Sequence, residues 1–279
     1  MENKNNIKIN KLLVLGKQHH QNNNFTDALK IYEEILNIDS THFETIFFLG
    51  TLKAQTKKFK EAKELLKKAI EIRPEIPDLY NNIGLIFREI KDFDQSLRSF
   101  KKAIQINPEY AIAFNNLGIV YKDLDNIDKA EKNFLQSIKL NPNNSDPYNN
   151  LGIIYNDENQ TDKAKDFFYK SLKINPKNLQ TLNNLGNLYK NIGQIEKAEK
   201  YFFKALDVNS KFFETYNNLM VMYERTNLND KLKEMINKTN EVFSSNNITK
   251  LFLGHYLFKI KKFSESIECL NQINFSENQ

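Results

Sequence analysis

The sequence predicts an all-α fold, an α-solenoid of about eight consecutive helix-turn-helix repeats with a period of 34 residues. Three observations predict it: one short phrase recurs at a constant interval, the glycines fall at one position of that interval, and the apolar residues follow helical spacing. Repetition at a period of 20–50 residues is typical of repeat architectures and takes precedence over other sequence signals.

The recurring phrase contains two adjacent asparagines and starts at residues 80 (YNNIGLIF), 114, 148, 182 and 216. With its glycine taken as position eight, the repeats begin at residues 9, 43, 77, 111, 145, 179, 213 and 247, after a short polar segment at 1–8. Seven of the eight glycines occupy position eight, and Gly193 lies at a turn. No glycine is left for a phosphate-binding loop.

Each repeat has the pattern of two helices. In the fourth repeat Phe114, Leu117, Gly118 and Tyr121 share one helical face, and a second amphipathic pattern follows from Ile127. Four repeats carry a proline at position 32, which stops a helix; these are Pro74, Pro108, Pro142 and Pro176.

The small residues at positions eight and twenty predict close packing of the two helices, because a large side chain would push them apart. Position twenty holds Ala28, Ala62, Ser96, Ala130, Ala164 and Ala198. The seventh repeat departs from this pattern with Met220 and Leu232, and carries Asn240 at position 28, where the earlier repeats are apolar. We expect its joint with the eighth repeat to be the weakest.

Composition excludes several classes of protein. The single cysteine, Cys269, rules out a disulfide framework, and four scattered histidines give no metal cluster. The apolar run at 12–15 is too short for a signal sequence or a membrane span. The net charge of +5 is spread over mixed signs. We therefore expect a cytoplasmic protein with no membrane contact, no cofactor, no metal and no nucleic-acid partner.

Period, residue types and their order resemble the tetratricopeptide repeat, whose pattern places Leu-Gly, Tyr, Ala, Phe, Ala and Pro at these offsets. The resemblance covers residues 9–279. It implies a right-handed superhelix whose first helices line the concave side.

A helical wheel, at about 100° per residue, turns position six of each first helix away from the packed face and toward that concave groove. Position five is expected to point sideways, toward the edge of the wall. Asparagine occupies position six in five consecutive repeats: Asn82, Asn116, Asn150, Asn184 and Asn218. Position nine faces the same groove with Leu85, Ile119, Ile153 and Asn187.

An asparagine side chain has one acceptor oxygen and an amide group that donates, which matches a peptide bond. The ladder of five amides resembles the asparagines of the tetratricopeptide superhelix of O-linked N-acetylglucosamine transferase, which hold the main chain of protein substrates. The opposing interpretation is that duplication copied solvated polar residues in an asparagine-rich chain.

The sequence thus predicts a non-catalytic scaffold that binds an extended peptide segment of another protein. The alternative is the substrate-recruiting arm of a glycosyltransferase whose catalytic domain is absent from this chain. A third possibility is a nucleic-acid surface formed by the lysine-rich second helices (Lys101, Lys102, Lys129, Lys132, Lys163, Lys165). The partner and the oligomeric state are not indicated.

Overall fold

A computed structural model of the chain describes residues 2–243 and 247–273, and within them every regular element is an α-helix. Sixteen helices lie in these ranges, two to each predicted repeat, so the all-α repeat fold is confirmed. Their bounds are α1 Glu2–Gln21, α2 Phe25–Ile38, α3 Phe43–Gln55, α4 Phe59–Ile72, α5 Pro77–Glu89, α6 Phe93–Ile106, α7 Ala111–Asp123, α8 Ile127–Leu140, α9 Asp146–Asp157, α10 Thr161–Ile174, α11 Leu179–Asn191, α12 Ile195–Val208, α13 Phe213–Arg225, α14 Asn229–Phe243, α15 Asn247–Lys259 and α16 Phe263–Asn271.

The chain divides into two compact units, Met1–Asn143 and Asn144–Gln279, called here the N-terminal half and the C-terminal half. The sequence predicted one array over residues 9–279. The N-terminal half holds α1 to α8, and the C-terminal half holds α9 to α16. Helix α1 already begins at Glu2, so residues 2–8 extend the first helix of the first repeat. The end of the predicted last repeat, 274–279, lies outside the described residues.

The second helices that precede a proline at position 32 end two residues before it, as predicted, and α2 and α12 end at the same position without a proline. Helix α4 ends at Ile72, two residues before Pro74, and α8 ends at Leu140, two residues before Pro142. The same spacing holds at the ends of α6 and α10.

Small residues let the paired helices approach closely, also as predicted. A Cβ added at Gly118 would lie 2.7 Å from the ring of Phe134, and the side chain of Ala130 is fully buried. In the seventh pair the larger Met220 and Leu232 take these two positions, and both are fully buried in one hydrophobic cluster.

The turn between the two helices of each repeat contains a residue with left-handed backbone. This residue is always position fifteen, and only Gly193 among them is glycine. The others have φ between 56° and 61°; they are Asn23, Lys57, Lys91, Asp125, Asn159, Asn227 and Lys261. A side chain makes this conformation unfavourable by about 1 kcal/mol or more.

Candidate functional site

Four of the five asparagines at position five are buried, namely Asn81, Asn115, Asn149 and Asn183, and Asn217 is half-buried. In the N-terminal half, Asn81 lies on α5 and is 4% exposed. Its Oδ1 accepts a hydrogen bond, 2.8 Å long, from Nδ2 of Asn116, the position-six residue of α7. The expectation that position five points to the edge of the wall is therefore wrong. Sideways from a first helix lies the first helix of the next repeat, since the two pack side by side.

The same bond recurs in the C-terminal half, with a second donor beside it. Oδ1 of Asn183, on α11, accepts from Nδ2 of Asn218 at 3.2 Å and from Oγ1 of Thr215 at 3.0 Å. Oδ1 of Asn149, on α9, accepts from Nδ2 of Asn184 at 3.0 Å and from Oγ1 of Thr181 at 3.1 Å. The side-chain carbonyls of Asn81, Asn149 and Asn183 thus each join their own first helix to the next one.

The predicted ladder at position six is partly used by these bonds. Asn116 is 8% exposed, so it is buried rather than open on the wall. The side chains of Asn82, Asn150, Asn184 and Asn218 are half-buried. One N–H of the Asn184 amide donates to Oδ1 of Asn149, which leaves its Oδ1 and its second N–H available for other hydrogen bonds. A ladder amide of this kind can still offer a ligand both an acceptor and a donor.

In the N-terminal half, two predicted groove residues line one pocket. Asn82 and Leu85, both on α5, line a space of about 350 Å³ together with Thr51 of α3. Phe59 and Ile86 also line this pocket, so its surface is mostly apolar. Nδ2 of Asn82 donates to Oγ1 of Thr51 at 3.3 Å, which fixes the amide at the edge of the opening.

The remaining position-nine residues lie on separate helices. Ile119 on α7 and Ile153 on α9 are half-buried. Asn187 on α11 is also half-buried, and its Oδ1 accepts from Nζ of Lys190 at 2.7 Å. Nζ of Lys190 also donates to Oδ1 of Asn218 at 3.4 Å, so these three residues meet in the C-terminal half.

Lys190, at position twelve of its repeat, was missed by the sequence analysis. Burial lowers the pKa of its ammonium, and the charge of Arg225, at position thirteen of the next repeat, lowers it further. A comparison of position twelve of one repeat with position thirteen of the next could have found it, because this offset also pairs Arg88 with Asp123.

The N-terminal half has a similar polar contact at its beginning. His20 on α1 lies 2.7 Å, Nε2 to Oε1, from Gln55 on α3. Its Nδ1 lies 3.2 Å from the hydroxyl of Tyr32. With Lys17 and Phe48, these residues line a second, more polar pocket.

Within residues 2–243 and 247–273, no group of three histidine, cysteine or acidic side chains is arranged to hold a metal ion. No helix in this part of the chain is long and apolar enough to span a bilayer.

Four family models match the sequence. A model described as TPR repeat matches residues 84–125, and models described as tetratricopeptide repeat match 19–81, 111–144, 133–166 and 180–212. Together they span more than half of the chain. A comparison with curated proteins finds no match.

Two solved structures, of Cut9 and PilF, share the fold, and a third match is MamA. Cut9, in the APC/C hetero-tetramer Cut9–Hcn1, matches 96% of this chain and 53% of its own, with a TM-score of 0.68 and 17% identity. PilF from Pseudomonas aeruginosa matches 76% of this chain and 96% of its own, with a TM-score of 0.62 and 20% identity. MamA matches 58% of this chain and 95% of its own, with a TM-score of 0.49 and 26% identity. Paired helices that keep the 34-residue period, together with the family models that match them, show that the chain is a tetratricopeptide repeat protein.

Proposed function

We propose that this chain is a non-catalytic binding protein that holds an extended segment of another protein along its first helices. Tetratricopeptide repeat proteins generally mediate protein–protein interactions. The observation that supports an extended ligand is the half-buried amide of Asn184 at position six, with polar atoms left over after the bond to the preceding repeat.

The chemistry of the ladder suits a main chain. First helices that pack at roughly 10 Å present one amide for about every three residues of a peptide that advances about 3.3 Å per residue. At each contact the asparagine accepts from a peptide N–H and donates to a peptide C=O. Such contacts are independent of the ligand's side chains.

Selectivity for side chains comes from the groove beside the ladder. The pocket of about 350 Å³ next to Asn82 has an apolar surface formed by Leu85, Ile86 and Phe59. A side chain that enters it leaves the neighbouring peptide group within reach of the Asn82 amide. We assign this pocket to one apolar side chain of the ligand.

The test uses peptides selected from a random dodecapeptide library with the intact protein. Asn184→Ala removes one ladder amide from the C-terminal half. Loss of its two hydrogen bonds to the ligand, one accepted and one donated, at about 1 kcal/mol each weakens binding roughly 30-fold. Asn133→Ala is the matched control, because this asparagine lies on α8, a second helix, and donates to the carbonyl of Lys129.

A second measurement examines main-chain recognition directly. N-methylation of the selected peptide at successive positions is expected to weaken binding about fivefold at about every third residue, since each loses one hydrogen bond of about 1 kcal/mol. Alanine replacement at those positions is expected to have little effect. Uniform tolerance of N-methylation, or equal binding by Asn184→Ala and the wild type, would contradict the ladder. The same groove would serve a substrate-recruiting arm of a glycosyltransferase; a nucleotide-sugar domain encoded by the full-length transcript would assign that role.

A further inference from the structure

A further pocket, called here the Phe87 pocket, lies in the N-terminal half on the side of α5 opposite the ladder. Three residues of α5 line it, Tyr80, Ile83 and Phe87, at positions four, seven and eleven. The groove residues Asn82 and Leu85 line a different space. At about 100° per residue, they point roughly 130° to 170° away from the mean direction of the other three. The Phe87 pocket is therefore separate from the groove.

The lining of the Phe87 pocket is rich in aromatic and aliphatic carbon. Its volume is about 420 Å³, which is within the range of small-ligand sites. The side chains of Tyr80 and Phe87 are half-buried, and Ile70 of α4 lies beside them in the lining. Ser99 of α6, at position 23, contributes a short side chain whose hydroxyl donates to the backbone carbonyl of Gln95 at 2.7 Å. The serine therefore fills little of the space.

In the fifth repeat, within the C-terminal half, position 23 holds a phenylalanine. The ring of Phe167 stacks on that of Tyr155, position eleven, at 5.3 Å, and lies 6.5 Å from that of Tyr148, position four. The sixth repeat likewise stacks Tyr201, at position 23, on Tyr189, at position eleven, at 5.6 Å. In these two repeats a ring of the chain itself covers the ring at position eleven.

The third repeat keeps the two flanking rings and lacks the ring between them. Tyr80 and Phe87 occupy positions four and eleven, and Ser99 occupies position 23. Within the part of the chain that the structure describes, no aromatic ring stacks on Phe87. The pocket corresponds to the place of the Phe167 ring, so an aromatic ring from a ligand would complete the stack.

The fourth repeat also has no ring at position 23, where it carries Asn133. There Leu97 packs with Tyr121 against one hydrophobic cluster. The residue that corresponds to Leu97 in the Phe87 pocket is Lys63, whose Nζ lies 5.9 Å from the centre of the Phe87 ring. A lysine keeps its ammonium in water and covers a ring less than a leucine does. The ring of Phe87 therefore stays accessible to a ligand.

Two lysines give the Phe87 pocket a preference for negative charge. Lys63 and Lys67 lie about one turn apart on α4, and both line the space. Neither forms an ion pair within the described residues. The carboxylate of Asp92 also lines the pocket, and its Oδ1 accepts from the backbone N–H of Gln95 as the cap of α6. Two ammonium groups against one carboxylate attract an acidic group beside the bound ring.

We propose that the Phe87 pocket binds a phenylalanine or tyrosine side chain that is flanked by acidic residues in a partner protein. The ring stacks on Phe87 as Phe167 stacks on Tyr155 in the fifth repeat, and the acidic flank contacts Lys63 and Lys67. Tetratricopeptide repeat proteins mediate protein–protein interactions, which favours a side chain over a free aromatic acid. Because this site is separate from the groove, the chain can bind two partners at once.

The probe is the capped pentapeptide acetyl-Ala-Glu-Phe-Glu-Ala-amide, titrated into the intact protein with ¹³C-labelled isoleucine methyl groups. We expect the ring current of the bound phenylalanine to shift the Ile70 and Ile83 signals saturably. Ile86 lines the groove pocket beside Asn82, so its signal reports binding there instead. A leucine version should bind about fivefold more weakly because it loses the ring stack. A glutamine version should bind about threefold more weakly at low salt, as expected for exposed ion pairs.

Two variants test the stack. Ser99→Phe places a ring at position 23, as in the fifth repeat. We expect it to raise the thermal midpoint by about 2 to 4 °C and to abolish the shifts at Ile70 and Ile83. Phe87→Leu removes the other ring of the stack and should weaken binding of the phenylalanine probe about fivefold.

Two further variants test the charge. Lys63→Gln combined with Lys67→Gln should remove the preference for the glutamate probe over the glutamine probe. Lys101→Gln is the matched control, because Lys101 is exposed at position 25 of the third repeat as Lys67 is at position 25 of the second. It should keep the preference. Asn82→Ala, on the groove side of α5, should leave the shifts at Ile70 and Ile83 unchanged.

The site would be overturned by the lack of saturable shifts at Ile70 and Ile83, by shifts that persist in Ser99→Phe, or by a lower thermal midpoint for that variant. Equal binding of the glutamate and glutamine probes would contradict the acidic flank. Tighter binding of phenylacetate than of the pentapeptide would assign the pocket to a free aromatic acid. Shifts confined to Ile86 would refute this site and support the groove, so the two proposals fail separately.

Discussion

Replacing Asn183 and Asn184 separately by alanine distinguishes a structural asparagine from a ladder asparagine. Asn183→Ala removes the acceptor of two hydrogen bonds, from Thr215 Oγ1 at 3.0 Å and from Asn218 Nδ2 at 3.2 Å. Thr215 is fully buried, so its hydroxyl gains no water in exchange. At about 1 to 1.5 kcal/mol for each lost bond, less about 0.5 kcal/mol for the better helix propensity of alanine, the variant loses about 2 kcal/mol.

Asn184→Ala removes one donor only. Its partner, Asn149 Oδ1, still accepts from Thr181 Oγ1 at 3.1 Å. One lost bond of about 1 kcal/mol, offset by about 0.5 kcal/mol of helix propensity, leaves a loss of about 0.5 kcal/mol. Adjacent residues of the same type on one helix are thus expected to differ by about 1.5 kcal/mol.

Native-state hydrogen exchange suits this measurement, because repeat arrays open in parts and a single unfolding midpoint averages over them. The exchange free energy of amides in α11 and α13 reports the joint directly. Thr215→Val in the Asn183→Ala background removes the orphaned hydroxyl and should recover about 1 kcal/mol, as a double-mutant cycle shows. An equal loss for the two single variants, or a larger loss for Asn184→Ala, would refute the division of roles.

Four further predictions concern folding. Gly152→Ala should lower the free energy of unfolding by about 1 to 3 kcal/mol through overpacking, because the added Cβ would lie 2.5 Å from the ring of Phe168. Gly50→Ala should be nearly neutral, because its added Cβ would lie 3.1 Å from the flexible side chain of Leu66. Equal losses for the two variants in urea unfolding would contradict this. Lys91→Gly removes the side chain from a residue with left-handed backbone, φ 61°, and should raise the free energy of unfolding by about 1 kcal/mol. A lower melting temperature would refute this. Asn240→Leu removes a buried Oδ1 that has no partner within the described residues. It should slow hydrogen exchange in α14 and α15 by an amount equivalent to about 1 to 3 kcal/mol. Unchanged exchange would show that Asn240 does not weaken the joint between the seventh and eighth repeats. Burial raises the pKa of Tyr32 to about 12, so its contribution to stability is complete below about pH 10, the pKa of the unfolded side chain, and is lost as the pH rises to about 12. Tyr32→Phe should avoid roughly 2 to 3 kcal/mol of that loss. Parallel alkaline unfolding curves for the variant and the wild type would refute this.

The helices were predictable because their signals are local and periodic. Apolar spacing within a repeat, glycine against a ring, and proline after the second helix each depend on residues of one repeat. Features between repeats were not predictable in the same way. A helical wheel gives the direction of Asn81 and not the neighbour that lies there, and the contact of Lys190 with Asn218 requires the offset between two helices. The left-handed turn was hidden because position fifteen holds residues such as Lys91 and Asp125 in place of glycine.

The paired asparagines now have a physical explanation. Position five faces the following first helix in a buried setting, where its carbonyl accepts from that helix and an apolar side chain would leave the donors unsatisfied. Position six supplies the donor with one amide hydrogen and, in the function proposed here, presents the rest of its amide to a ligand. One asparagine therefore cannot serve both purposes, since adjacent residues on a helix point about 100° apart. A ligand that contacts several ladder residues would then stabilise the same joints that position the ladder, which couples binding to the order of the array.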